Sequence, residues 1–102
     1  MFETIIEYDK EKARKGKYSI DQINEYLDSL YLDNPDIIKK SEGHYVGITD
    51  SDTEFAHIGR PIITLSKQKW FREIVTRWEL WENGEIEENI IETLEKREAQ
   101  DV

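Results

Sequence analysis

Glu7 and Asp9 stand two residues apart near the N-terminus, and carboxylates at that spacing are the part of this sequence best suited to chemistry. On an extended chain, alternate residues share a face, so both side chains would point the same way. Doubled across a molecular two-fold, such a pair offers oxygen ligands for Mg²⁺, which takes one or two carboxylates together with water and phosphate. The plainer role is a pair of solvated acids at a strand end. His44 adds an imidazole that can serve as general acid or base, or simply stand exposed at the end of a strand. His57 lies near Gly59 with no special role assigned to it. Two histidines thirteen positions apart, in a chain without cysteine, form no zinc motif. Gly43, Gly47 and Gly59 match neither common nucleotide-binding fingerprint, and no Ser-His-Asp arrangement can be assigned.

Charge is distributed unevenly. Lys10, Lys12, Arg14, Lys15 and Lys17 crowd one short segment against the single acid Glu11. Any nucleic-acid contact would use Arg14, Lys15 and Lys17 locally on phosphates, with a solvated loop as the competing role. Tyr18 and Tyr45 could stack bases, but Tyr18 has a structural task at a helix start. Over the whole chain the formal net charge is −9, and from Glu79 onward nine acids oppose only Lys96 and Arg97. Nucleic-acid affinity comes largely from counterion release by basic groups, so nonspecific DNA binding is not expected. Eleven aromatics in 102 residues argue for a folded single domain, 1–102, and against disorder. Absence of cysteine leaves disulfides and thiolate sites out of reach. No window approaches the roughly 18 apolar residues of a membrane span, and the first residues lack a signal-peptide pattern. The expected compartment is the cytoplasm.

The elements that must position these residues follow from periodicity. Phe2–Tyr8 reads as a strand with Phe2, Thr4, Ile6 and Tyr8 on one face and Glu3, Ile5 and Glu7 on the other. Ser19 and Gln22 form a capping box, Tyr18 and Ile23 a hydrophobic staple, and Ile20, Ile23, Leu27 and Leu30 one helical stripe that ends at Asn34-Pro35. Residues 37–41 and 44–49 flank Glu42-Gly43 as a hairpin, with a short helix from Pro35 as the alternative for the first half. Asp50-Ser51-Asp52 is a loop or helix cap. Phe55, Ile58, Ile62 and Leu65 recur at helical spacing, and Gly59 and Pro61 predict a kink or break within them. A helical turn or two follows, with Trp70, Phe71, Ile74 and Val75. At Thr76 the period becomes two, placing Trp78 and Leu80 inward and Arg77, Glu79 and Trp81 on the opposite face. Asn83-Gly84 could turn a hairpin, but Ile86, Ile90, Ile91 and Leu94 share a helical stripe, so a final acidic helix over about 85–99 with a frayed end is expected. Its acids Glu85, Glu87 and Glu88 would suit the helix N-terminus.

The resulting order β-α-β-β-α-β-α predicts an α+β fold: a ferredoxin-like two-layer sandwich over residues 1–82, with an additional C-terminal helix. Its helices would lie on one side of the sheet. Ile5 and Trp81 on the other side then need a cover, either a second copy of the chain or the C-terminal helix.

Several residues carry a family resemblance. Gly43-His44-Tyr45-Val46, the Phe55/Ile58/Ile62/Leu65 stripe, and Leu65-Ser66 followed by Trp70-Phe71 and Val75 resemble virulence-associated protein D. This small bacterial family has a ferredoxin-like fold and is related to the nuclease-fold protein of CRISPR adaptation. The resemblance spans most of the chain to about Glu82 and implies a homodimeric endoribonuclease, in some members the toxin of a toxin–antitoxin pair. The family places an aspartate near the end of its first strand, where Glu7 stands here. Its small hydroxyl residue after the hairpin glycine is His44, and an acid of its last strand is Arg77. The sequence therefore carries two functional expectations. One is an endoribonuclease using Glu7, Asp9 and His44, with Mg²⁺ held by Glu7 and Asp9. The other is a non-enzymatic, acidic, dimeric interaction module (an antitoxin, immunity or phage-defence factor) that binds a basic protein partner.

Overall fold

The structure, a computed structural model, describes residues 1–100. The chain runs β1 (Phe2–Tyr8), α1 (Lys10–Lys15), α2 (Ile20–Tyr31), β2 (Ile37–Ser41), β3 (His44–Gly47), α3 (Asp52–Ser66), α4 (Lys69–Ile74), β4 (Val75–Glu82), β5 (Glu85–Asn89) and α5 (Ile90–Gln100). The five strands form one antiparallel sheet in the order β2-β3-β1-β4-β5. β1 and β4 pair along nearly their full lengths, from Phe2 opposite Glu82 to Tyr8 opposite Val75. The α+β class and the placement of helices to one side are as expected.

Local chemistry explains most of the boundaries. Ser19 accepts from the Gln22 amide at the start of α2, whose residues Ile23, Leu27 and Tyr31 are buried. Ser51 does the same for α3 through the Glu54 amide, so Asp50-Ser51-Asp52 is a cap. Gly43 holds φ +73° in the β2–β3 turn, and a Cβ there would lie 2.1 Å from the carbonyl oxygen of Ile6. That close approach lets the Gly43 carbonyl accept from the Ile6 amide at 2.8 Å. Every helix contributes to one core, with Ala13 from α1, Leu27 from α2, Ile58 and Leu65 from α3, Phe71 from α4 and Ile90 from α5, over Ile6, Tyr45 and Trp78 of the sheet.

Four expectations need correction. The basic segment is largely helical rather than a loop: Asp9 caps α1 by accepting from the Lys12 amide, and Ala13 is fully buried beneath it. β3 ends at Gly47 rather than Thr49. α3 runs without a break across Gly59 and Pro61. An interior proline costs a helix about 3 kcal/mol, and here the uninterrupted burial of Ile58, Pro61 and Leu65 against the core outweighs it. Finally, Asn83 and Gly84 both take positive φ, 51° and 80°, as a tight hairpin turn requires. Residues 85–89 therefore return as β5 instead of opening the last helix. Glu85, Glu87 and Glu88 sit on that strand, and α5 starts only at Ile90, where the Asn89 side chain accepts from the Glu92 amide. α5 packs through Ile90, Ile91 and Leu94 on the core side, and its Glu98 pairs with Arg72 of α4. It does not cover the opposite face of the sheet. Of the last few residues, where fraying is expected, those to Gln100 are helical and the rest lie outside the described residues.

Glu54 is the notable polar member of the interior. Its side chain is fully buried yet accepts from the amides of Phe2, Thr49 and Asp50 and from the Thr49 hydroxyl. Gly47 makes room for it, since a Cβ there would sit 1.9 Å from Glu54 Oε1. Burial by itself would push this carboxyl up, but the amide and hydroxyl donors more than offset it and hold it below its ordinary value of 4.5. A carboxyl depressed on folding stabilises the protein above that ordinary value and loses its contribution as pH falls through the folded value. Replacing Glu54 by Ala strands buried donors, so Glu54→Ala should lose about 2–3 kcal/mol in urea unfolding at pH 7. The deficit should shrink as the pH is lowered through the acid range. An unchanged deficit there would show that the carboxylate charge is not what stabilises this corner.

Candidate functional site

Cross-strand partners share a face, so the register defines the side of the sheet without helices. Ile38 lies opposite Val46, Val46 opposite Glu3 and Glu3 opposite Trp81, which in turn faces Ile86. One row further along are His44, Ile5, Glu79 and Asn89, and beyond them Glu7 and Arg77. Ile38 and Ile86, on the outermost strands, are 47% and 51% exposed. Ile5, Val46 and Trp81 between them are half-buried by their neighbours alone.

The charges on this face are paired with one another. His44 Nε2 lies 2.9 Å from Glu3 Oε2. Arg77 Nη1 donates to Glu7 Oε2 at 3.0 Å, and its Nε donates to Glu79 Oε1 at 3.0 Å. The Trp81 indole N–H donates to the same Glu79 oxygen at 3.0 Å. Chiefly through the hydrogen bond from Arg77, and then through the indole, the Glu79 carboxyl is held below its ordinary range although burial opposes this. The guanidinium is stabilised in return, first by Glu79 and then by Glu7.

The carboxylate pair read from the sequence takes a different form. β1 ends at Tyr8, and Asp9 turns away to cap α1. Glu7 and Asp9 therefore do not line up along one strand face as a continuing strand would have placed them. Glu7 instead borders a cavity of about 230 Å³ with Ile6, Tyr8, Lys10 and Glu42, in which Lys10 and Glu42 form an ion pair at 3.1 Å. Among the described residues no group of three or more His, Cys, Asp or Glu side chains converges as a metal site. Arg14 and Lys15 lie exposed on α1, and Lys17 follows it with φ 65°. None of the three forms an ion pair among the described residues. His44, expected as a free acid or base, is engaged by Glu3. Ile5 and Trp81 lie on the bare face, where their alternation placed them.

Two groupings were missed in the sequence. Tyr18 and Tyr26 pack on Trp70, with ring centroids 5.4 and 6.0 Å away, so Trp70 lies beneath the staple at the start of α2. His57, given no special role in the sequence, lies on α3 with Nδ1 2.7 Å from Asp36 Oδ1. Asp36 lies just ahead of β2, 21 positions away in the chain, so the pairing has no local signal. No helix among the described residues is long and apolar enough to cross a membrane. The chain matches no family model, no curated protein and no solved structure.

The Arg77–Glu79 contact has a direct readout. Arg77→Gln removes the main group holding the Glu79 carboxyl down, so its titration, followed by side-chain carboxyl NMR, should move upward toward the ordinary range. No movement would mean that Arg77 does not engage Glu79 in solution.

Proposed function

We propose that this chain is an acidic, homodimeric interaction module of ferredoxin-like build, which pairs with a second copy through the bare face of its sheet and binds a basic protein surface. The observation that carries this is the uncovered face itself. Ile38, Ile5, Val46, Trp81 and Ile86 lie across it, while its charged groups are already satisfied by one another. Charges paired in advance lower the desolvation penalty of covering such a face, and interface cores favour tryptophan. The ferredoxin-like reading rests on the run from β1 to β4, with β1 lying between β3 and β4 and α2 and α3 on one side of the sheet. For the partner, the support is charge: Glu85, Glu87, Glu92, Glu95 and Glu98 are exposed along β5 and α5, where they would steer a basic surface and weaken their hold as salt rises. An antitoxin, immunity or phage-defence role fits such a module.

A second reading, an endoribonuclease like virulence-associated protein D, is favoured by the cavity beside Glu7 and by the cations of the adjoining α1. In it Glu7, Asp9 and His44 act on RNA, with Mg²⁺ drawn to the two carboxylates and Arg14, Lys15 and Lys17 on the phosphates. RNA cleavage that is abolished by EDTA and by Glu7→Gln with Asp9→Asn would establish it in place of the binding role.

Sedimentation equilibrium tests the dimer. The parent should sediment at twice the 12.2 kDa chain mass at micromolar concentration, and Ile38→Glu combined with Trp81→Glu should return it to a monomer with an unchanged far-UV spectrum. A parent that remains monomeric at high protein concentration would contradict the proposal.

A further inference from the structure

α3 presents a polar stripe away from the bare sheet face. His57, Arg60, Pro61 and Thr64 recur at helical spacing, and with Leu30 and Asn34 they line a cleft of about 160 Å³. At one end stands the His57–Asp36 pair. Asp36, just ahead of β2, is only 9% exposed, and its carbonyl accepts from the Ile48 amide at 3.0 Å. A carboxylate fixed in this way holds the proton on His57 Nδ1 and sets the ring's orientation. Nε2 is then the free atom of the imidazole, and no hydrogen bond engages it among the described residues.

One turn along, the Arg60 guanidinium is exposed and forms no ion pair among the described residues. Arg60 and His57 stand three positions apart on one helix and line the same cleft. A tether between α3 and the start of β2 accounts for the Asp36 contact alone. It does not account for the cleft or for the cation within it.

We infer that this cleft binds a phosphoryl oxyanion. The planar Arg60 fork matches two oxygens of such a group, and His57 Nε2 approaches a third from a separate position on the helix. A doubly protonated ring donates to that oxygen, and a ring protonated only at Nδ1 accepts from a P–OH, so both phosphate protonation states have a partner. Asn34 and Thr64 supply further polar groups at the margin. A planar carboxylate would satisfy the fork and leave the imidazole idle, which is why a tetrahedral anion fits better. The site is separate from the sheet face and does not depend on dimerisation.

Long-range ¹H–¹⁵N NMR of the His57 ring and the Arg60 Nε–H tests this at constant ionic strength and pH. Inorganic phosphate should shift both groups saturably, while acetate should not. Arg60→Gln, an exposed substitution that leaves the core intact, should weaken phosphate binding by about tenfold or more. A nucleoside monophosphate and a 5′-phosphorylated ribo-oligonucleotide, run alongside, identify the source of the phosphoryl group by which binds more tightly. Shifts that rise linearly without saturation, that acetate reproduces, or that persist in Arg60→Gln would overturn the assignment.

Discussion

Trp78 is fully buried, meets Phe71 edge-on at 5.1 Å, and sits opposite Ile6 in the β1–β4 ladder. The rest of the fold depends on this contact between the central strands and the helical layer. α4 ends at Ile74 and β4 begins at Val75 with no connecting residue, so the indole and the phenyl ring are set by a junction that leaves little freedom. The Ile74 carbonyl also accepts from the Asp9 amide at 2.8 Å, joining the end of β1 to the same point. Once Trp78 is committed inward, alternation sends Arg77, Glu79 and Trp81 to the other side. Since every helix packs on the Trp78 side, no helix among the described residues covers them.

A second constraint works at the opposite end of the sheet. The buried Glu54 carboxylate gathers the amides of Phe2, Thr49 and Asp50, while the terminal ammonium group reaches Asp50 at 2.8 Å and Asn83 at 2.6 Å. The start of β1, the β3–α3 connection and the β4–β5 turn are thus drawn together by polar contacts rather than by apolar packing. Buried polar groups at such a corner are tolerated because each donor has an acceptor. The apolar core fixes one end of β1 and the carboxylate clasp fixes the other, which keeps the bare face a defined surface.

Much of this architecture is legible in the sequence wherever one period dominates. The alternation of Phe2–Tyr8, the stripe of α2 with its Ser19 cap, and the change of period at Thr76 each describe a segment with a single buried face. The failures occur where a local signal competed with burial. Pro61 and Gly59 argue for a break, but the buried stripe on either side of them keeps α3 whole. At residues 85–89 the spacing of Ile86 from Ile90 and Ile91 imitates a helix. The positive φ of Asn83 and Gly84 decides otherwise, and Ile86 belongs to the sheet. α1 carried a cap in Asp9 and one buried alanine, too little apolar character to stand out against four cations. For the site, strand alternation identified which face Glu7, Ile5 and Trp81 would share. Partner choice, such as Glu7 with Arg77 or His57 with Asp36, depends on strand register and on how the elements pack, and is not encoded locally.

Among its described residues the chain therefore presents a surface rather than a constellation of reacting groups. Glu7 and His44 are held in contacts with Arg77 and Glu3 along a partly apolar sheet face, Asp9 caps α1, and the acidic edge of β5 and α5 lies beside that face. The decisive measurement is an isotope-filtered NOE spectrum on an equal mixture of ¹³C-labelled and unlabelled protein. Intermolecular NOEs linking the Ile38, Val46 and Ile86 methyl groups to the Trp81 ring of the other copy are the predicted result. A sample at millimolar concentration that shows none, or that shows them only from residues of the helical layer, would contradict the account.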